Sequence, residues 1–469
     1  MTDNNLTDDN NLTDDDIPYD QDLDQDLDLY NIDIDIHTAG FIDSLDEEDG
    51  LEIEHQVYES IDEYLCDEMP RYSKPLFLEE MLYCIVEPLF EHFYDAGFCD
   101  EEDYDEIYEF VRVRAEVVVE TVLRIPPRSH PDARILSIPK QTDEITAQIA
   151  ALLSIPQPEQ RTPAWYEFRH NLITASNIGK IFSTESQLNS LIYEKCQPLT
   201  SSITSAFSSV SITSPLHWGN KYEPVSVLVY EHMFKTRVGE FGCIRHPQYT
   251  CIGASPDGIN VDLANPDRYG RMLEIKNIVN REITGIPLEM YWIQMQVQME
   301  TCGLDECDFL ETRFQEYADS AEFYADTFSQ YKGVILYFID KVTTAGSKPF
   351  YVYMDLAVLH SNNTGMSEKE AVNAWVAIQR KKHIRTHVLF EPLFWRLAEM
   401  SCVLVERNRL WFQSVLPKIQ ATWRIIEKER VEGYAHRMAK KRANSLTDNP
   451  PTNPKIGANG GRVCLIKLD

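Results

Sequence analysis

Apolar residues recur with helical spacing in residues 51–125. In the stretch FLEEMLYCIVEPLFEHFYDAGF they follow the i, i+3, i+4, i+7 spacing that places them on one face of an amphipathic helix. Acidic and aromatic residues fill many of the other positions. The pattern therefore predicts a small acidic helical domain at 51–125, and the prolines that follow predict a linker at 126–155.

A different pattern begins at residue 156. Helical spacing comes first, then short apolar runs typical of strands, then a further helix and the strand-like runs GVILYFID and PFYVYMD. This mixture of helices and strands predicts one compact α/β domain at 156–365. The pattern after it predicts a C-terminal helical region at 366–445 and a flexible tail at 446–469.

The first fifty residues carry little that could form a core. The sequences DNNLTD and DQDL each occur twice among many aspartates, which predicts an acidic disordered tail at 1–50. The formal net charge is −33, but residues 1–110 hold 37 Asp and Glu and two basic residues, which leaves +2 on the rest. The acidic total therefore does not argue against a nucleic-acid site further along the chain.

Composition narrows the class of protein. The chain has 469 residues, of which 43% are hydrophobic, so it can bury a large core. Its ten cysteines are scattered without a CxxC pair, which favours reduced thiols over a disulfide framework. The opening residues lack a signal-peptide pattern, and the longest apolar runs are far shorter than a membrane span. We therefore expect a soluble, intracellular protein that does not interact with membranes.

The stretches GASPDGI and LEIKN contain a candidate catalytic cluster. Side chains alternate along a strand, so Glu274 and Lys276 project from one face, and Asp257, in the preceding turn, can lie beside them. Two adjacent carboxylates repel unless a proton or a divalent cation lies between them. Mg²⁺ or Mn²⁺ would meet that need and support hydrolysis of a phosphodiester. Taken alone, this spacing fits solvated strand residues equally well.

The flanking residues favour the catalytic cluster over solvated strand residues. PDG followed by EIK resembles the PD-(D/E)xK nuclease signature. Four further pieces, WYEFRHNLITAS, HWGNKYEP, GASPDG and YWIQMQ, resemble the YqaJ-type viral recombinase and lambda exonuclease branch of that superfamily, in matching order over about residues 160–355. The resemblance implies a restriction-endonuclease-like α/β core, with a mixed central β-sheet flanked by helices and with N-terminal and C-terminal helical additions.

The resemblance also implies a role for each matched residue. Asp257 and Glu274 correspond to metal ligands, together with the backbone carbonyl of Ile275 and the further acidic group of Glu223. Lys276 corresponds to the catalytic lysine, and Gln294 to the glutamine that supports the lysine and the nucleophile.

A second matched group concerns the DNA end. Arg169, Ser176 and Ser255 correspond to residues that bind a terminal 5'-phosphate. A guanidinium and two hydroxyls are suited to a dianionic phosphate that an internal diester does not offer. Tyr291 lies one helical turn before Gln294 and is expected on the same face, as a DNA-contacting residue.

Together these features predict a metal-dependent deoxyribonuclease, a 5' to 3' exonuclease acting on double-stranded DNA ends in viral recombination or repair. The expected cofactor is Mg²⁺ or Mn²⁺. A single-strand annealing protein and further copies of the chain are candidate partners, and a viral protein would act in the host cytoplasm or virus factory. The alternatives are an endonuclease of the same fold and a DNA-binding or assembly protein with weak catalysis.

Basic clusters at 380–385 and 437–442 fit either solvated helix faces or contacts to the DNA backbone.

Overall fold

A computed structural model describes most of the chain from residue 47 to residue 438. The described ranges are 47–74, 76–119, 142–158, 162–199, 215–341, 349–360 and 366–438. Nearly all of the predicted acidic tail, the whole of the predicted C-terminal tail and the first part of the predicted linker lie outside these residues.

Three helices form the N-terminal part: α1 (Glu47–Glu68), α2 (Phe77–Ala96) and α3 (Tyr104–Val117). The apolar stripe of α2 is buried, and the helix ends where Gly97 takes a left-handed conformation and its backbone N–H reaches the carbonyl of Phe93. These helices occupy the segment where the sequence predicts an acidic helical domain.

This N-terminal part packs directly against the rest of the protein through the turn between α1 and α2. The buried ring of Tyr72 lies 6.5 Å from the ring of Trp292, measured between centroids. Beside it, Lys74 Nζ lies 2.7 Å from Glu289 Oε1, and Ser73 Oγ donates to the same oxygen over 3.2 Å. Both partners belong to the first turn of one helix, which also carries predicted site residues.

Two sheets follow. The strands are β1 (Ile173–Thr174), β2 (Val238–Gly239), β3 (Ile244–Arg245), β4 (Ile252–Ala254), β5 (Gly258–Asn260), β6 (Met272–Asn277), β7 (Glu306–Glu316), β8 (Lys332–Asp340), β9 (Phe350–Tyr353) and β10 (His387–Glu406). The small sheet has the order β1-β4-β3, and the large sheet has the order β2-β5-β6-β7-β10-β8-β9. Strands β6 and β7 are parallel, whereas their neighbours pair antiparallel, so the large sheet is mixed.

Further helices accompany the two sheets. They are α4 (Thr142–Ser154), α5 (Pro163–His170), α6 (Ala175–Ile178), α7 (Glu185–Cys196), α8 (Pro215–Phe234), α9 (Glu289–Cys302), α10 (Ser320–Ala325), α11 (Ala357–His360), α12 (Glu368–His383) and α13 (Arg409–Glu432). Two of them cover opposite faces of β6 in the large sheet. On one face, Tyr230 of α8 packs with Leu273 and Ile275 of β6. On the other, α9 contacts the polar side chains of β6. The predicted mixed α/β fold class is confirmed.

The prediction of a helical region at 366–445 is wrong over β10. This strand of 20 residues lies between β7 and β8 in the large sheet. Its register shifts between Leu389 and Glu391 and again between Leu397 and Glu399, and such bulges interrupt the alternation that identifies a strand. The α/β domain therefore does not end at residue 365. The predicted linker also contains helix α4.

Among the described residues, no helix is both long enough and apolar enough to cross a membrane.

The position of β10 predicts that the α/β domain cannot fold without it. A chain ending at residue 365 leaves β7 and β8 without the strand that joins them, whereas a chain ending at residue 438 retains it. We expect cooperative thermal unfolding, followed by circular dichroism, for the longer chain and none for the shorter one. Cooperative unfolding of the shorter chain at the same midpoint would show that β10 is dispensable.

Candidate active site

The side chain of Glu274 is the centre of the site. Strand β6 buries Leu273 and Ile275 on one face, and Glu274, which is 1% exposed, points to the other. Its Oε1 is paired with the ammonium of Lys276 and accepts a 2.8 Å hydrogen bond from Gln294 Nε2. Gln298 Nε2 donates to Oε2, also over 2.8 Å. Three donors therefore hold both carboxylate oxygens in place.

Asp257 lies beside this carboxylate. It precedes β5, which pairs with β6, and its Oδ2 accepts a 2.7 Å hydrogen bond from the backbone N–H of Ile275. Burial raises the pKa of Asp257 well above its usual value, and the charges of Glu274 and Glu223 raise it further. Lys276 opposes this effect. The structure thus brings Asp257, Glu274 and Lys276 together, as the sequence predicts.

Lys276 remains a cation in this setting. Burial lowers the pKa of its ammonium, but Glu274 and Asp257 raise it more, so the net change is upward. Its Nζ also lies 4.6 Å from the centroid of the Tyr291 ring, a favourable contact between a cation and an aromatic face. The structure therefore places Tyr291 next to Lys276, in the carboxylate site.

Glu223 approaches from helix α8. Ser226 Oγ donates to Asn277 Oδ1 over 2.8 Å, and Asn277 Nδ2 donates to the carbonyl of Gly219 over 3.1 Å. These bonds lie about one turn to either side of Glu223 and hold its helix against β6. Glu223 is close enough for its charge to act on Asp257.

The donors at this site suit a hard cation. Within the described residues, no three acidic, histidine or cysteine side chains converge closely enough to form a closed metal cage. Mg²⁺ does not require one, since it binds through one or two carboxylates and keeps several waters. Asp257 and Glu274 provide those carboxylates, and their mutual repulsion is the electrostatic condition that a divalent cation relieves. The residues present therefore fit Mg²⁺ or Mn²⁺.

A second cluster forms around Arg169. Its guanidinium lies 3.3 Å from Ser255 Oγ, 3.4 Å from Ser176 Oγ and 3.5 Å from Thr174 Oγ1. The guanidinium also stacks on the ring of Trp165, 4.5 Å from its centroid. The parallel pairing of β1 with β4 brings these segments together. The structure thus assembles the three residues predicted for a terminal phosphate and adds Thr174.

Two basic side chains bind the backbone carbonyls of the segment that carries Arg169. Lys195 Nζ donates to the carbonyl of Arg169 over 2.9 Å, and Arg430 Nη2 donates to the carbonyl of His170 over 2.7 Å. Burial lowers the pKa of Lys195 to about 8. Helix α13, which carries Arg430, therefore supports the cluster from outside the predicted α/β domain.

Gln298 is the site residue that the sequence motifs do not identify. It is fully buried, and besides Glu274 its Nε2 approaches the carbonyl of Ser255 at 3.3 Å. It therefore connects the carboxylate site with the segment that carries Ser255. The available sequence signal is its position four residues after Gln294, which places both on one helix face.

Comparison with known proteins agrees with the resemblance read from the motifs. Residues 164–305 match the family model for the YqaJ-like viral recombinase domain. This part of the chain is therefore a YqaJ-like viral recombinase domain, and it contains every residue of the two clusters except Arg430.

The chain is also similar to the uncharacterized protein R354 of Acanthamoeba polyphaga mimivirus. The two are 25% identical over 304 residues, which cover 59% of this chain and 54% of the mimivirus protein. The chain thus spans about half the length of this curated relative.

Two solved structures are similar to this chain at lower sequence identity. An alkaline exonuclease from Laribacter hongkongensis is 17% identical with a TM-score of 0.32, and the match covers 57% of this chain and 94% of that one. A phage-related exonuclease from Haemophilus somnus 129PT is 11% identical with a TM-score of 0.29, covering 57% and 98%.

The two bonds of Gln298 predict a loss of metal affinity when its amide is removed. Gln298→Met keeps the length of the side chain but leaves Glu274 Oε2 without its donor. Loss of a group that orients a metal ligand typically lowers affinity by about 10- to 100-fold. Titration calorimetry with Mn²⁺ would measure this change.

Gln296→Met is the matched control. Gln296 is equally buried on α9, but its amide bonds the carbonyl of Glu406 and the backbone N–H of Asn408. We expect this control to lower the free energy of unfolding by about 1–3 kcal/mol without changing Mn²⁺ affinity. Equal Mn²⁺ affinities in Gln298→Met and the unmodified protein would show that Gln298 has no role at the site.

Proposed function

We propose that the protein is a metal-dependent deoxyribonuclease that degrades double-stranded DNA from its ends in the 5' to 3' direction. The observation that carries this proposal is the convergence of Asp257, Glu274 and Lys276 next to the Arg169 cluster. The YqaJ-like viral recombinase domain, within which all four residues lie, supports it.

The carboxylate site supplies the groups for phosphodiester hydrolysis. Asp257 and Glu274, with the carbonyl of Ile275 and the more distant Glu223, would hold Mg²⁺ or Mn²⁺. Such an ion, when bound, lowers the pKa of a coordinated water and neutralises charge on the scissile phosphate.

The neighbouring side chains orient the reacting groups. Lys276, a cation next to Glu274, stabilises negative charge that develops on the phosphate oxygens. Gln294 fixes the Glu274 carboxylate through Oε1 and Gln298 fixes it through Oε2, so neither oxygen has to reorganise during the reaction.

The Arg169 cluster accounts for the direction of degradation. A guanidinium with three hydroxyls around it can bind the dianionic phosphate at a 5' end, where charge-assisted hydrogen bonds are strong. Binding the terminal phosphate there would place the adjoining diester at the carboxylate site. An exonuclease of this polarity leaves 3' single strands, so a single-strand annealing protein is the partner class that we propose.

Removal of the catalytic ammonium tests the assignment of the site. We expect Lys276→Ala to lower the rate of cleavage of end-labelled duplex DNA in Mg²⁺ by about 100- to 1,000-fold, since its charge acts on the transition state. DNA affinity measured in EDTA should change little. Lys235→Ala, at an exposed position, is the control, and full activity of purified Lys276→Ala would contradict the mechanism.

A second prediction concerns the DNA end. Duplex with a 5'-phosphate should be degraded faster than duplex with a 5'-hydroxyl, and Arg169→Ala should reduce that preference by roughly ten-fold or more, through loss of hydrogen bonds to a charged group. Arg237→Ala, at an exposed position before β2, should keep the preference. Rapid cutting of a covalently closed circle would instead identify an endonuclease of the same fold.

A further inference from the structure

The turn that joins α12 to β10 carries a dense group of basic residues. We call it the α12–β10 patch and define it by Arg380, Lys381, Lys382 and Arg385. Residues 378–390 contain these four and no acidic residue. All four side chains are exposed, and none is ion-paired within the part of the chain that the structure describes. The dipole of α12 favours positive charge at its C-terminus, but the mutual repulsion of four cations remains uncompensated.

The patch is built on a rigid base. The ring of His383 lies 5.0 Å from that of Phe350, and the carbonyl of Thr386 accepts a 3.0 Å hydrogen bond from the backbone N–H of Lys341. The neighbouring acidic group, Asp340, lies 2.9 Å from His387 Nε2 and is engaged there. The backbone that carries the four cations is therefore held in place against the sheet.

Two apolar side chains next to these cations, Ile378 and Ile384, are each more than half exposed. A surface with unpaired cations and exposed apolar groups fits a polyanion that also offers apolar surface. Nucleic acid has this character, with phosphates along its backbone and deoxyribose between them.

The patch shares a sheet face with the active site. Residues opposite one another in paired strands lie on the same face, and Lys276 is opposite Glu311 of β7. The alternate residues of β7 continue this face to Gln315, which is opposite Arg396 of β10. Phe394, two residues away, packs in the cluster that contains residues of α12.

Between the two sites, the described strands β7 and β10 each carry one arginine, and both arginines have partners. Arg313 is paired with Glu399 at 2.9 Å, and Arg396 donates to Gln315 over 2.8 Å. The α12–β10 patch is therefore a separate cationic site along this face, beyond the active site.

The distance between the two sites matches a short duplex. Ser401 is opposite Glu311, level with the catalytic lysine, and it lies fourteen positions after His387 at the patch. At a rise of about 3.3 Å per residue this is about 45 Å or less. A duplex that rises about 3.4 Å per base pair covers that length in about 13 base pairs.

We propose that the α12–β10 patch binds the phosphate backbone of the same duplex whose end occupies the active site, about 13 base pairs from the cut. This inference rests on the proposed nuclease function. Its role is to hold the duplex behind the reacting end, through contacts that do not depend on sequence.

Duplex length and salt dependence test the proposal. Affinities for 8- and 24-base-pair duplexes with a 5'-phosphate would be measured by fluorescence anisotropy in EDTA, over a range of NaCl concentrations. The protein would be compared with a Lys381→Gln/Lys382→Gln variant and with Arg424→Gln/Lys428→Gln, which removes two exposed charges from α13. Each phosphate contact contributes about 0.9 to the slope of log affinity against log salt concentration.

We expect the Lys381→Gln/Lys382→Gln variant to lose roughly 2 from that slope on the longer duplex and nothing on the shorter one. The α13 control should match the unmodified protein on both. An unchanged slope on the longer duplex would overturn the proposal and leave the exposed apolar group as a surface for a protein partner. An equal loss on both duplexes would overturn the assigned distance.

Cleavage of both duplexes in Mg²⁺ is measured separately. A protein that cuts neither duplex would refute the nuclease function without deciding the binding result.

Discussion

The buried carboxylate of Glu274 is the constraint on which the site depends. A charge removed from water is costly unless it is paired and hydrogen-bonded, and this one is 1% exposed. Lys276, Gln294 and Gln298 together supply its partners. Because two of them belong to α9 and one to β6, the need to satisfy Glu274 fixes that helix against that strand. The same contact sets the positions of Asp257 and Lys276.

Helix α9 connects this constraint to the rest of the chain. Its first turn is held by the N-terminal helices, through Lys74 on Glu289. In the middle, Gln296 binds the backbone where β10 passes into α13. At its C-terminal end, Gln148 of α4 donates to the carbonyl of Cys302. Segments that lie outside the matched domain, before and after it, therefore hold in place the helix that carries Gln294 and Gln298.

Local periodicity predicted that Glu274 and Lys276 share one face of a short strand, but this pattern alone fits solvated strand residues equally well. The family resemblance favoured the catalytic interpretation, and Gln294 and Glu223 were predicted only through it. The Arg169 cluster was predictable only through family resemblance, since it depends on the pairing of Ile173 with Ile252 across distant segments. No local pattern encodes such a contact.

Strand β10 and the role of Gln298, which the sequence patterns do not predict, also depend on contacts between distant segments. Two bulges and Pro392 hide the alternation of β10, and its place between β7 and β8 arises from tertiary pairing. Gln298 lies outside the quoted motifs, and only its contacts with Glu274 and Ser255 distinguish it from any other buried glutamine.

We propose that the carboxylates around Glu274 form a divalent metal site, and calorimetric titration with Mn²⁺ in the absence of DNA tests this most directly. Asp257→Asn replaces a carboxylate by a neutral amide of the same size, a poorer ligand for a hard cation. Asp262→Asn is the control, because that carboxylate accepts from the backbone N–H of Ala264 in a turn. We expect Mn²⁺ to bind the unmodified protein and the control, and to bind Asp257→Asn at least roughly ten-fold more weakly. Equal Mn²⁺ affinity in all three proteins would contradict it.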